Sequence, residues 1–122
     1  MFDVTFDELL MLLPDLREKY EGFLSAVNSC DGLPEAVLSA CRIRVRQIHG
    51  LEADTQPKAF SNAEEVALTI AEKMPFQHHE LLDEEVQQVK ELFGDDGCVG
   101  LLTAVAFFDA TSRLELAFAG AS

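Results

Sequence analysis

Residues 34–50 read PEAVLSACRIRVRQIHG, and this stretch decides the fold class. Val37, Leu38, Cys41, Val45 and Ile48 recur at spacings of three and four, which puts them on one face of an α-helix. Ala36, Ala40 and Ile43 add a second apolar face. A helix apolar on two sides belongs at the centre of a bundle. Pro34 suits the start of this helix and Gly50 its end.

The same periodicity continues on both sides. Upstream, Thr5 and Glu8 have capping-box spacing just before Leu9, Leu10, Leu12 and Leu13, so a short first helix is expected there. Pro14 opens a second helix to about Asn28, with Leu16, Tyr20, Phe23, Leu24 and Val27 facing inward. Asp31-Gly32 makes the turn into the central helix. Downstream, residues 51–60 break the pattern and contain Pro57. Ser61 with Glu64, or Asn62 with Glu65, starts a fourth helix carrying Val66, Ala67, Ile70, Ala71 and Met74, which Pro75 stops. Asp83 is expected to cap a fifth helix through Val86, Val89, Leu92 and Phe93, ended by Gly94. Asp95 or Asp96 then begins an apolar last helix reaching Phe118. No segment alternates with period two. The expectation is one all-α domain over residues 1–122, a bundle of about six helices.

Composition narrows the partners. With 22 acidic residues against nine basic ones, the formal net charge is -13, which repels nucleic acid and anionic membrane surfaces. The longest apolar run, Cys98 to Phe108, is too short to span a bilayer and reads as a buried helix. No stretch near the start has the make-up of a signal peptide, so a cytoplasmic location is expected.

Three cysteines, Cys30, Cys41 and Cys98, are widely separated. No C-x-x-C occurs, and no Cys/His spacing suits zinc, so no metal or cofactor is expected. Cys41 and Cys98 sit among apolar residues and read as small buried hydrophobes, and Cys30 as the end of a helix.

Two stretches resemble a known family. Residues 42–50, RIRVRQIHG, resemble the helix of the alkylhydroperoxidase D and carboxymuconolactone decarboxylase superfamily that reads L-R-V-A-Q-x-x-G, with Arg44, Val45, Gln47 and Gly50 on the matching positions. Residues 61–73, the turn through His78 to Val86, and residues 107–118 resemble the family's C-terminal half. Arg113-Leu114 fits the terminal N-R-L signature, with Ser112 in place of Asn. The resemblance covers roughly residues 34–120. It implies an all-helical fold and a homo-oligomer, as a dimer, trimer or hexamer.

Peroxidases of that family carry C-x-x-C-x-x-x-H after the Gly, and a Glu twelve residues before the first Cys. One thiolate attacks the peroxide, the second thiol resolves the sulfenic acid, and the acid and His move protons. Carried over by spacing, those positions hold Leu51, Asp54, Lys58 and Ser39. Neither Leu nor Asp forms a sulfenic acid or a disulfide, so that mechanism is not expected here. Decarboxylase-like relatives also lack the dithiol, often with an acid at the second Cys position. Asp54 fits that pattern, whereas Lys58 departs from the retained His.

The resemblance therefore implies a non-redox protein that binds or converts a small organic acid or lactone. Asp54 would act as acid or base if burial raised its pKa, Lys58 would hold an anionic ligand, and His49 would serve as base or line the site. Glu52, Asp54 and Lys58 also suit an ordinary solvated loop, and His49 also suits bonding a backbone carbonyl. The alternative is a non-catalytic oligomeric scaffold or regulatory domain.

Other polar residues have simpler readings. His78 and His79, adjacent in a turn, are expected to point apart rather than bind metal. Arg42, Arg44 and Arg46 form the one basic cluster. They read as salt-bridge partners for the many acids, or as a clamp for a carboxylate. Arg113 needs a partner if buried: Asp109, Glu115 or an acid across an interface. Phe107, Phe108 and Phe118 read as core or interface residues.

Overall fold

In the computed structural model the described residues are 8, 10–29, 32–51 and 60–121. Among them the protein is all-helical, with α1 over Pro14–Asn28, α2 over Glu35–Ile48, α3 over Asn62–Lys73, a 3-10 turn at His78–Glu80 and α4 over Asp83–Ala121. Helices α2, α3 and α4 pack on one another. Their shared core contains Val37, Leu38, Cys41, Val45, Ala67, Ile70, Val89, Leu101 and Val105.

The expectation of about six helices is corrected by four α-helices among the described residues. Of the first expected helix, Thr5, Phe6, Asp7 and Leu9 lie outside them, while Glu8 and Leu10 are helical and the helix does not extend to Leu13. The last two expected helices follow one another without a loop within α4 and are separated by the non-helical Gly94 (φ 75°, ψ 174°). Glycine adopts that conformation without a Cβ penalty, so the chain changes direction there without a separating loop. Asp95 and Asp96 lie immediately past the break, where the last helix was expected to start.

Local chemistry accounts for the helix ends. Ser61 and Glu64 form a reciprocal capping box at the start of α3. Pro14 sits in the first turn of α1. At α4 the expected cap shifts by one residue: the Glu85 carboxylate accepts from the Leu82 amide at 2.9 Å, so Leu82 takes the cap position and Asp83 the first turn. At α2, Gly50 closes the helix at φ 76°, with the Gly50 amide on the Gln47 carbonyl and the Leu51 amide on the Arg46 carbonyl, both at 2.9 Å. That pair of bonds is a Schellman motif.

Burial follows the sequence pattern at the centre and departs from it outside. Val37, Leu38, Ala40, Cys41 and Val45 are buried in α2, but Ala36 is exposed because no helix covers the first turn on that side. In α1, Val27 is buried and Tyr20, Phe23 and Leu24 are half-buried, while Leu16 is exposed. It meets α4 through aromatic rings: Tyr20 stacks on Phe107, and Phe23 packs against the same ring at a tilt. The turn before α2 is seated by Gly32, at φ 82°, where an added Cβ would lie 2.7 Å from the Phe93 carbonyl oxygen.

By length and composition, α4 is apolar enough over Asp83–Phe118 to cross a membrane. Its buried residues, among them Leu101, Ala104, Val105 and Phe108, are the same ones that fill the core of the bundle.

Candidate functional site

The polar residues of the interior gather where α2 ends. Arg46 and His49 are three residues apart and so share one face of α2. Opposite them, α4 presents Asp109, Ser112, Arg113 and Glu115. The third wall is the turn after α3, with Pro75 and Phe76.

His49 is the centre of this cluster. Its side chain is only 3% exposed, and Nε2 lies 2.7 Å from Asp109 Oδ1. Phe76 packs against the imidazole at 5.1 Å between ring centroids. Asp109 also accepts from Arg113 Nε at 3.1 Å to each carboxylate oxygen. Arg113 in turn donates through Nη2 to the Pro75 carbonyl at 2.9 Å and lies over the Phe76 ring, 4.8 Å from its centroid. One guanidinium thus ties the carboxylate, the turn and the aromatic cover together.

A second pair lies one turn away on α2 and nearly two turns away on α4. Arg46 Nη1 donates to Glu115 Oε2 at 2.8 Å, with the Glu115 side chain only 5% exposed. Each of the two carboxylates, Asp109 and Glu115, has its own arginine. Ser112, also buried, donates to the Phe108 carbonyl at 2.7 Å within α4.

The chemistry of the dyad is directional. An ionised Asp109 accepts hydrogen bonds and so selects the tautomer with its proton on Nε2. Nδ1 is then the ring's acceptor, and it has no hydrogen bond to a described residue. A histidine oriented in this way by a carboxylate can take a proton from a bound molecule or accept its hydrogen bond.

Of the residues expected to work together, the structure places His49. Asp54 and Lys58 lie outside the described residues, as does Cys30. Leu51 follows Gly50 and is half-buried, and Ser39 is exposed on α2. Asp109 and Glu115 are the residues that sequence reasoning missed as partners of His49 and Arg46. Their signal was an acid inside an otherwise apolar helix.

Two simpler expectations resolve clearly. Arg113 pairs with Asp109, whereas Glu115 belongs to Arg46. Of the basic cluster, Arg44 faces Glu72 at 3.5 Å without a hydrogen bond from Nε. His78 and His79 are exposed, but their rings meet edge-on at 5.7 Å instead of pointing apart, because the 3-10 turn brings consecutive side chains closer than an extended strand would. Among the described residues no three His, Cys, Asp or Glu side chains converge as a metal site would require.

Cys41 and Cys98 are buried free thiols. Burial, reinforced by Glu64 and Glu72, pushes the Cys41 thiol up to about 12. Burial also raises the Cys98 thiol, against a partly compensating Lys90. A thiol held this way stays protonated near neutral pH and is a poor nucleophile.

The chain matches no family model, no curated protein and no solved structure.

Proposed function

We propose that the His49–Asp109 dyad is the acid–base centre of a small-molecule site in a divergent, non-redox relative of the alkylhydroperoxidase D and carboxymuconolactone decarboxylase proteins. Its ligand is a small organic acid or lactone. The carrying observation is the buried imidazole whose Nε2 sits 2.7 Å from Asp109. Asp109 orients the ring, Arg113 holds Asp109, and Nδ1 meets the ligand. Asp54 and Lys58 follow α2 closely in sequence and complete the site as acid and anion holder. The high Cys41 pKa argues against thiol peroxidase chemistry. The protein is cytoplasmic on this reading.

The test is an NMR titration of small carboxylates and lactones against the wild type, His49→Gln and Asp109→Asn. A ligand that shifts the His49 and Phe76 resonances in the wild type, and loses at least about tenfold in affinity in both variants, supports the proposal. A panel that leaves His49 unmoved removes it.

A second reading rests on a different observation. Val99, Leu114 and Phe118 are exposed on one side of α4, at 65%, 39% and 48%. Such an apolar surface suits a homo-oligomer that acts as a scaffold or regulatory domain without catalysis. Analytical ultracentrifugation of the wild type and Phe118→Glu separates the cases. A discrete oligomer dissociated by the substitution supports this face as an interface, and a monomeric wild type excludes it.

A further inference from the structure

The protein has five arginines, and four of them face a carboxylate: Arg17 with Glu21, Arg44 with Glu72, Arg46 with Glu115 and Arg113 with Asp109. Arg42 has no carboxylate partner among the described residues. In a chain of net charge -13 an unpaired guanidinium is the exception.

Arg42 lines a cleft of about 190 Å³ with Glu35, Ser39, Leu24, Leu38 and Phe108. The cleft lies where α1, α2 and α4 meet, away from His49. Its floor is apolar, with Leu38 and Phe108 buried and Leu24 half-buried. Glu35, Ser39 and Arg42 follow one another at four and three residues along one face of α2. Seven residues of helix separate the two charges by about 10 Å along the axis. Acid and base are therefore not paired with each other; they stand at the two ends of an apolar trough.

We infer that this cleft binds a small zwitterion whose ammonium and carboxylate lie at opposite ends of a short apolar body, as in an ω-amino acid. Arg42 and the Ser39 hydroxyl take the carboxylate, Glu35 takes the ammonium, and the methylene chain rests on Leu24, Leu38 and Phe108. Size agrees, because a cavity of about 150 Å³ accommodates a molecule as large as benzene. Charge also agrees. A plain carboxylate leaves the Glu35 carboxylate facing it across the cleft, whereas a zwitterion answers both charges. The inference is independent of the His49 site.

The experiment is an NMR titration with ε-aminocaproate, with caproate and n-hexylamine as single-charge comparisons. The expected result is saturable shifts at the Leu24 and Leu38 methyls and the Phe108 ring. Affinity should fall at least about tenfold in Arg42→Gln and in Glu35→Gln, because each removes a charge-assisted hydrogen bond. Asp109→Asn should bind as the wild type does, which keeps this site distinguishable from the proposed acid–base centre. Absence of saturable shifts at millimolar probe overturns the inference. So does caproate or n-hexylamine binding as tightly as ε-aminocaproate, or unchanged affinity in both charge variants.

Discussion

The middle of the bundle and the end of α2 are built from the same three helices, yet they obey opposite rules. In the middle, Cys41, Val45, Ile70, Leu101 and Val105 are buried with nothing polar among them. One or two turns further on, Arg46, His49, Asp109, Ser112 and Glu115 occupy the interior. Burying apolar area is favourable in itself. Burying charge is costly unless every group is paired, and even then an apolar replacement often serves stability as well. The middle therefore explains why the chain folds. The polar end is not explained by folding alone, and it is where function is sought.

Substitutions can break this contrast in order of size. Leu101→Ala, in the fully buried middle, should cost about 2–5 kcal/mol by loss of burial and creation of a cavity. Urea unfolding checks it, and a loss below about 1 kcal/mol would mean that the middle is loosely packed. Glu115→Ala leaves Arg46 facing an empty site and should cost about 2–3 kcal/mol. The double variant Arg46→Met with Glu115→Leu should recover most of that loss, since the pair is costly to split but not required for stability. If the double variant is no more stable than Glu115→Ala, the polar end is a stability element after all.

Backbone chemistry supplies a smaller effect. Gly50→Ala forces a side chain into the φ 76° cap of α2 and should cost about 1 kcal/mol, read as a drop in Tm. The smallest effect is electrostatic and lies on the surface. The Lys73 ammonium, bonded to Glu85, holds that carboxyl below the usual carboxylate range, helped by the Leu82 amide. Glu85 thus contributes stability that is present above the ordinary carboxylate range and is lost as pH falls through its lowered folded value. Lys73→Met should flatten that part of the stability profile on the acid side and leave the neutral region little changed, as urea midpoints across pH would show.

The contrast also explains what could be read from sequence. The middle was legible because Val37, Leu38, Cys41 and Val45 repeat at helical spacing, and burial follows that repeat. Ser61 and Glu64 announced the start of α3 in the same local way. The break between the last two helices was legible too, since a glycine followed by two aspartates reads as a stop and a restart, and Gly94 is the non-helical residue there. The polar end was half legible. His49 and Arg113 stood out as polar residues in apolar surroundings, and Asp109 was within reach of Arg113 on its own helix. The pairing of His49 with Asp109 spans 60 residues of sequence, and no local spacing encodes it. The same holds for Arg46 and Glu115, 69 residues apart.

The most direct test of the acid–base reading is the tautomer of His49, measured from the imidazole ¹⁵N shifts of the wild type and Asp109→Asn. For the uncharged ring the account predicts the proton on Nε2 and a bare Nδ1 in the wild type, and loss of that single tautomer in Asp109→Asn. A ring protonated on Nδ1 with Nε2 bare, or a spectrum unchanged by Asp109→Asn, would contradict it.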